Sequence, residues 1–412
     1  MKAVVFTLGC KVNQCESSSL MQGLKQNGWE VVEHLCYADL YIVNTCAVTA
    51  EAEKKSRQMI ARIRKYNENA KIVIAGCASE KSFSQFEGKE NVFLITGAKS
   101  KDKIIDLLNN EGVYIEEHDE YYERFLQAGT PRTRSYIKVQ DGCNNFCSYC
   151  IIPYLRGRSR SRDPENIIRE IELLHPTEVV ITGINLSDYN FNGIRLSDLL
   201  LMLKDYKTRI RLGSLEVGVI DERLLDATKA VYNFAQHFHL SLQSGSNDVL
   251  KSMNRKYTRE EYLQKVDLIR KYYPNAGITT DIIVGFSTEN ISDFEKSVSM
   301  VKEANFSDVH CFAYSKREGT EAAKIKELPA EVKKERMNKL LDVKAETKKK
   351  FILKNIGTVH GFIPEEVVDG CTVGYTGNYI RVYVDKTDMA DKEYKVLLTE
   401  IYNDGVKAVV VE

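Results

Sequence analysis

At 412 residues, 43% of them hydrophobic and only seven of them proline, the chain is long for one core, so two or three domains with ample apolar material are expected. Lysine plus arginine and aspartate plus glutamate both total 58, which leaves no net charge to indicate a polyanionic partner and confines any such case to local patches. No opening segment resembles a signal peptide and no run of about eighteen apolar residues spans a bilayer, so a soluble, cytoplasmic protein with no membrane partner is expected.

The first segment, residues 1–125, alternates apolar runs (AVVFTLG, LYIVNT, KIVIAG, NVFLIT) with helical patterns such as that from Glu51 to Tyr66. This alternation predicts an α/β fold with an open, largely parallel sheet. The polar stretch EEHDEYYERFLQAGTPRTR has no sustained apolar period and reads as a linker. A second segment, residues 126–345, supplies six strand candidates: SYIKVQ, EVVITG, IRLGSL, HFHLSLQ, ITTDIIVGF and SDVHCFAY. Helical patterns separate them, among them DPENIIREIELL and TREEYLQKVDLIRKYY, and six βα units predict a partial parallel (β/α)6 barrel. A long basic helix is predicted from Pro329 to about Asn355. The remaining tail, residues 346–412, carries glycine-punctuated strands (IRVYVD, KVLLTEI, VKAVVVE) and predicts a small closed, OB-like β-barrel.

Ten cysteines are many for a reducing compartment, where they more often bind metal or do chemistry than pair as disulfides. Cys143, Cys147 and Cys150, in CNNFCSYC, follow the first barrel strand with spacings of three and two. Three thiolates on one short loop hold three irons of a [4Fe–4S] cluster and leave the fourth iron open to an exogenous ligand. Zinc would need a fourth ligand, which no nearby cysteine or paired histidine supplies.

Three further cysteines each end a predicted strand: Cys10 after AVVFTLG, Cys46 after LYIVNT and Cys77 after KIVIAG. The carboxyl ends of parallel strands share one edge, so the three are expected to be neighbours and to hold a second cluster. A disulfide pair with one spare is the alternative. Cys15, Cys36, Cys311 and Cys371 lack this placement and are assigned structural roles, although Cys15, just over a helical turn beyond Cys10, could reach the same cluster.

CNNFCSYC is the signature of radical S-adenosylmethionine enzymes, and the whole chain resembles their methylthiotransferase family. The matching motifs are TLGCKVNQCES (Thr7 to Ser17), NTCAVTAEAEKKSRQ (Asn44 to Gln58), GCASE (Gly76 to Glu80) and CNNFCSYCIIPYLRGRSRSR (Cys143 to Arg162). Thr49 and the run after it resemble the branch that modifies N6-threonylcarbamoyladenosine in tRNA. The resemblance implies conversion of that nucleoside at position 37 to its 2-methylthio derivative, with two S-adenosylmethionine consumed per turnover. One would methylate a sulfur held on the second cluster, and the other would give a 5′-deoxyadenosyl radical that abstracts the hydrogen on adenine carbon 2. It also implies that the tail is the family's TRAM-like RNA-binding barrel.

On the barrel, the resemblance places cofactor contacts at Tyr149, Ser214, Glu216, Gln243, Arg255, Gly285 and Phe286, with Tyr149 and Phe286 near the adenine. The chain departs from the family's usual Phe-Pro-Gly-Glu-Thr after the fifth strand, having Phe286, Ser287, Thr288 and Glu289, and the missing glycine puts that loop's geometry in question. Arg156, Arg158, Arg160 and Arg162 alternate just after the cluster loop, where RNA phosphates would pass. From Lys324 to Lys354 there are eleven basic and five acidic residues.

The implied partners are a tRNA anticodon stem-loop, a reductant and a sulfur source, with a monomeric enzyme expected. Alternatives within the family act on isopentenyladenosine in tRNA or on a ribosomal-protein aspartate. A reading from another class is a two-cluster electron carrier with an RNA-binding tail.

Overall fold

The computed structural model describes residues 1–48, 50–115 and 133–411, so nearly all of the expected linker, and Thr49, lie outside the described residues. The chain divides into two units. One comprises Met1–Thr130, Tyr136–Asn144 and Cys150–Leu174; the other comprises Pro131–Ser135, Asn145–Tyr149 and His175–Glu412.

The first unit runs β1 (Lys2–Thr7), α1 (Lys11–Gln26), β2 (Glu30–Val32), β3 (Leu40–Thr45), α2 (Ala50–Arg64), β4 (Lys71–Gly76), α3 (Cys77–Lys81), β5 (Val92–Thr96), α4 (Ile104–Leu107) and β6 (Gly112–Tyr114). The six strands form one parallel sheet in the order β2-β1-β3-β4-β5-β6. Side chains alternate between two cores with the period of two that a pleated strand imposes. On β3, Tyr41 and Val43 pack with Met59 and Ile63 of α2, while Leu40 and Ile42 pack with Leu20 and Leu24 of α1. Helices thus cover both faces, which is why β3 is buried along its whole length and apolar up to Asn44 and Thr45.

The strand order reverses between β1 and β3. In sheets of this kind a ligand crevice opens at that reversal, beyond the carboxyl ends of the strands. β1 leads into Cys10, β3 into Cys46 and the adjoining β4 into Cys77. The same unit holds most of β7 (Arg134–Asp141), then α5 (Ile152–Arg156), β8 (Arg160–Ser161) and α6 (Pro164–Leu174). Ile151 and Leu155 enter the core that contains Cys77 and Ala78.

The second unit begins its regular structure with β9 (Glu178–Gly183), a hairpin of β10 (Asn190–Phe191) and β11 (Ile194–Arg195), and α7 (Leu196–Met202). β12 (Arg209–Leu212) pairs in parallel with β9. There follow β13 (Ser214–Leu215), α8 (Glu222–Ala230), β14 (His237–Leu240), α9 (Asn247–Ser252), α10 (Arg259–Tyr272), β15 (Gly277–Val284), α11 (Ile291–Ala304) and β16 (Asp308–Ala313). β13 to β16 make a parallel sheet in chain order. Local chemistry sets the helix starts. The Thr258 hydroxyl accepts the Glu261 N–H while the Glu261 carboxylate accepts the Thr258 N–H, and Asn290 and Asp293 do the same for α11.

α12 (Ala330–Asn355) is the expected long basic helix. Many of its cations are already matched: Lys333 by Glu327, Arg336 by Glu289, Lys339 by Glu295, and Lys344 and Lys348 by Asp308. Lys334, Lys349 and Lys350 remain exposed. The tail, β17 (Val359–Val368), β18 (Cys371–Thr376), β19 (Arg381–Val384), β20 (Tyr394–Tyr402) and β21 (Gly405–Val410), closes into a five-stranded barrel around Phe362, Val382, Val396, Leu398 and Val406.

A buried carboxylate fastens this barrel to the parallel strands. Glu178 accepts Arg134 Nε at 2.7 Å, Arg209 Nη1 at 3.3 Å, and Arg211 Nε and Nη2 at 2.8 and 3.0 Å. Arg211 in turn donates to the Thr376 and Gly377 carbonyls, each at 3.1 Å, and Arg209 donates to Glu393 at 2.6 Å. Burial disfavours the Glu178 anion, but Arg211 and Arg134 outweigh it and hold its pKa well below the usual carboxylate range.

Candidate functional site

Cys10 is the N-cap of α1, Cys46 directly follows β3, and Cys77 opens α3. Cys10 is exposed, whereas Cys46 and Cys77 are 3% and 2% exposed. The residue before Cys10 shows how closely these loops approach. Gly9 has φ +99°, and a Cβ placed there would lie 2.7 Å from both Cβ and Sγ of Cys46. Only glycine lets the β1–α1 turn sit against the second cysteine. Cys46 N–H donates to Ser56 Oγ at 3.4 Å, and Thr45 Oγ1 bridges the Ala75 carbonyl and the Ala78 N–H, tying the Cys46 turn to the Cys77 turn.

Without a metal, Cys46 and Cys77 favour the protonated thiol. Burial, then the neighbouring Cys77 and Cys10, push Cys46 up to about 11 despite a backbone N–H from Val48, and burial raises Cys77 as well. Metal ligation requires the thiolates, which iron would stabilise by charge. Among the described residues, no three His, Cys, Asp or Glu side chains converge tightly enough for a single metal ion. A lone zinc wants four protein ligands at a closed site, whereas a four-iron cluster takes each thiolate on a different iron, so three cysteines on three turns suit a cluster better.

Beside these cysteines lies a buried polar network that the sequence reading missed. Glu16, on α1, receives Arg156 Nη1 at 2.8 Å, Arg156 Nη2 at 3.1 Å, Lys138 at 3.0 Å and also Lys101. Asp141 receives Arg156 Nη1 at 3.0 Å and Lys138 at 3.4 Å, and Asn13 Oδ1 accepts from Arg156 Nη2 at 2.8 Å. Burial opposes both carboxylate charges, yet Arg156 and the lysines prevail: Glu16 is held well below its ordinary range, and Asp141 is pushed down to about 2. The available signal was Asn13, Glu16 and Ser17, polar residues three and four apart on one face of α1.

This network corrects the reading of four alternating arginines as a phosphate track. Arg156, 1% exposed, clamps Glu16 and Asp141, and Arg162 is buried against Glu170. Arg160 is half-buried, with Nη1 donating to the Arg156 carbonyl at 2.6 Å and Nη2 lying 3.4 Å from Asp141. Arg158 is exposed. Alternation placed two of the four side chains inward, where carboxylates occupy their guanidiniums. Cys15 is buried, with its thiol donating to the Tyr136 carbonyl at 3.3 Å.

In the second unit, Cys147 is buried and its Sγ lies 3.2 Å from Arg255 Nη1. Arg255 also pairs with Glu216 at 2.7 Å and donates from Nε to Tyr257 Oη at 3.0 Å. Burial works against this cation, but Tyr257, Tyr149, Cys147 and Glu216 together raise its pKa. The chain from Asn145 to Tyr149 is pinned by Asn254, which donates to the carbonyls of Asn145 and Phe146, and by Ser148, which bonds Met253 and Ser252. The Tyr149 ring meets Phe286 edge-on at 6.3 Å, and both pack with Val249, Met253 and Tyr314.

The loop that lacks the usual glycine keeps its shape by other means. Gly285 has φ +71°, its N–H donates to Glu289 Oε1 at 2.9 Å, and Arg336 holds Glu289. Of the expected contacts, the structure therefore groups Glu216 and Arg255 with Cys147, and Gly285 and Phe286 with Tyr149. Ser214 is exposed at the start of β13, and Gln243, at φ +69°, joins β15 through a bridge to Ile282. Neither side chain has a hydrogen-bond partner among the described residues.

Residues 137–301 match the Radical SAM superfamily, and residues 2–97 match "Uncharacterized protein family UPF0004". A solved structure of the radical S-adenosylmethionine methyltransferase TsrM from Kitasatospora setae shares the fold at TM-score 0.57 and 14% identity, over 78% of this chain and 77% of that one. Fold and cysteine loop thus define a radical S-adenosylmethionine enzyme, a class that works with that cofactor and [4Fe–4S] iron.

Two curated relatives narrow the class. The threonylcarbamoyladenosine tRNA methylthiotransferase MtaB of Bacillus subtilis is 36% identical over all of this chain and 98% of its own length. The tRNA-2-methylthio-N(6)-dimethylallyladenosine synthase of Alkaliphilus oremlandii is 38% identical over 83% of this chain and 77% of its own length. The chain belongs to the radical S-adenosylmethionine methylthiotransferase family.

Proposed function

We propose that this enzyme converts N6-threonylcarbamoyladenosine at position 37 of tRNA to 2-methylthio-N6-threonylcarbamoyladenosine, consuming two S-adenosylmethionine per turnover. The observation that carries the reading is the end-to-end match to a threonylcarbamoyladenosine methylthiotransferase, where the dimethylallyladenosine enzyme matches a smaller share of the chain. Cys143, Cys147 and Cys150 would hold the cluster that binds the cofactor, and Cys10, Cys46 and Cys77 the cluster that carries sulfur. Bound there, the two groups supply a primary carbon radical able to break an inert aromatic C–H bond, and the sulfur that replaces it.

The protein's part is to bind and orient. Arg255, fixed by Glu216 and Tyr257, places a cation beside Cys147. Tyr149 and Phe286 offer an apolar edge for the adenine of the cofactor, and Ser214 and Gln243 have unengaged polar groups for its ribose or methionyl part. For RNA, Arg158, the exposed lysines of α12 and the tail barrel offer an anticodon stem-loop cationic and sheet surfaces. Residues 1–125, 126–345 and 346–412 would divide the work into sulfur delivery, radical generation and RNA capture. A reductant, a sulfur source, a cytoplasmic location and a monomeric state belong to the same proposal.

The 38% identity to the dimethylallyladenosine synthase favours one second reading, in which the substrate carries an isopentenyl group. Mass spectrometry of tRNA nucleosides from a strain lacking the gene separates the two. We expect loss of the methylthiolated threonylcarbamoyl nucleoside, accumulation of its unthiolated precursor and unchanged isopentenyl products; loss of the methylthiolated isopentenyl nucleoside instead would overturn the substrate assignment.

A further inference from the structure

Arg156 is the most deeply buried charged member of the polar network, and its guanidinium is oriented from three sides. Nη1 is shared between Glu16 and Asp141, and Nη2 between Glu16 and Asn13. Nε, in contrast, is buried with no acceptor among the described residues. A buried N–H donor left without a partner is destabilising, so this one is open to an acceptor that the polypeptide does not itself provide. Nearby are Cys46 and Cys77, both close enough for the Arg156 charge to favour their thiolates. Helix α5 ends at Arg156, and α5 packs in the same core as Cys77.

We infer that Arg156 is a positioning residue for the iron–sulfur site of Cys10, Cys46 and Cys77, where its fixed charge and unshared Nε–H face the sulfurs and raise the reduction potential of the cluster. The inference rests on the proposed role of those three cysteines. Charge and hydrogen bonds to the sulfurs are the two levers by which a protein tunes such a centre, and a cation favours the reduced form because reduction adds negative charge. Glu16 acts in the opposite sense, holding Arg156 in place while offsetting part of its charge. Burial keeps both effects from being screened by solvent.

The test is an anaerobic redox titration followed by electron paramagnetic resonance. It uses the full-length chain with Cys143→Ala, Cys147→Ala and Cys150→Ala, reconstituted with ferrous iron and sulfide, so that only the amino-terminal cluster reports. Arg156→Met alone strands Glu16 and Asp141, so it is paired with Glu16→Gln, which removes one charge of each sign and keeps the fold within reach. Glu16→Gln by itself is expected to shift the potential upward, and the double variant is expected to fall below it. Loss of iron from the double variant while its circular dichroism stays that of the parent supports the same role. Equal potentials in the single and double variants, at full iron content, would overturn the role of Arg156 and leave the cluster assignment standing. A parent that holds no iron would defeat the cluster assignment itself, and with it the inference.

Discussion

At the scale of single residues, the arrangement turns on how closely three chain segments can approach. Gly9 is the clearest case, because a methyl group there would meet Cys46 at 2.7 Å from a backbone that side chains rarely adopt. Gly9→Ala should therefore cost roughly 1–3 kcal/mol of backbone strain and push the first cysteine away from the second. Iron analysis of the reconstituted variant should show the amino-terminal site depleted and the CNNFCSYC site filled; a full complement at both would show that the close approach is dispensable. Arg158 gives a second test. It is the exposed member of the arginine run, so Arg158→Glu should weaken tRNA binding, with a shallower salt dependence, and leave cofactor cleavage by the isolated enzyme intact. Unchanged binding across a salt series would remove it from the RNA surface.

At the scale of elements, the carboxylate under the tail barrel makes a testable link. Glu178→Gln leaves Arg134, Arg209 and Arg211 around a neutral amide, and breaking a buried pair of this kind costs about 3–5 kcal/mol, measurable as a lowered midpoint in denaturant. Because its folded-state pKa lies below the unfolded value, Glu178 contributes stability that is present above the ordinary carboxylate range and is lost as pH falls toward the lowered value. The wild-type midpoint should drop on acidification more steeply than that of Glu178→Gln; parallel curves would show the arginines to be solvated rather than paired.

Elements also mark what could be read beforehand. The strands of the parallel sheets announced themselves as apolar runs, and α6, α10 and α12 matched their periodic patterns to within a residue or two, because burial on one or both faces writes itself into composition. β2 and β6, three residues each at the sheet edges, are too short to carry alternation. β17 and β18 were hidden by Pro364 and Gly374, which a barrel accommodates beside a register shift. The Glu16 network was illegible for a different reason: its partners stand up to 140 positions away, and no local pattern says that a glutamate on α1 will be buried.

At the scale of the whole molecule, two sets of three cysteines stand in different surroundings. One set sits at the carboxyl ends of β1, β3 and β4, beside the reversal of strand order, where Arg156 adds positive charge. The other lies on a loop whose middle cysteine faces Arg255 and whose aromatic neighbour meets Phe286. Among the described residues no helix is long and apolar enough to cross a membrane. The division of labour predicts separable defects, and one measurement examines it most directly. Anaerobically reconstituted parent should hold about eight irons per chain, and the variant with Cys10, Cys46 and Cys77 all changed to alanine about four, as two or one four-iron clusters require. That variant should still cleave S-adenosylmethionine to 5′-deoxyadenosine while forming no methylthiolated tRNA. A variant that keeps the full iron content, or that still thiolates its RNA, would contradict the account.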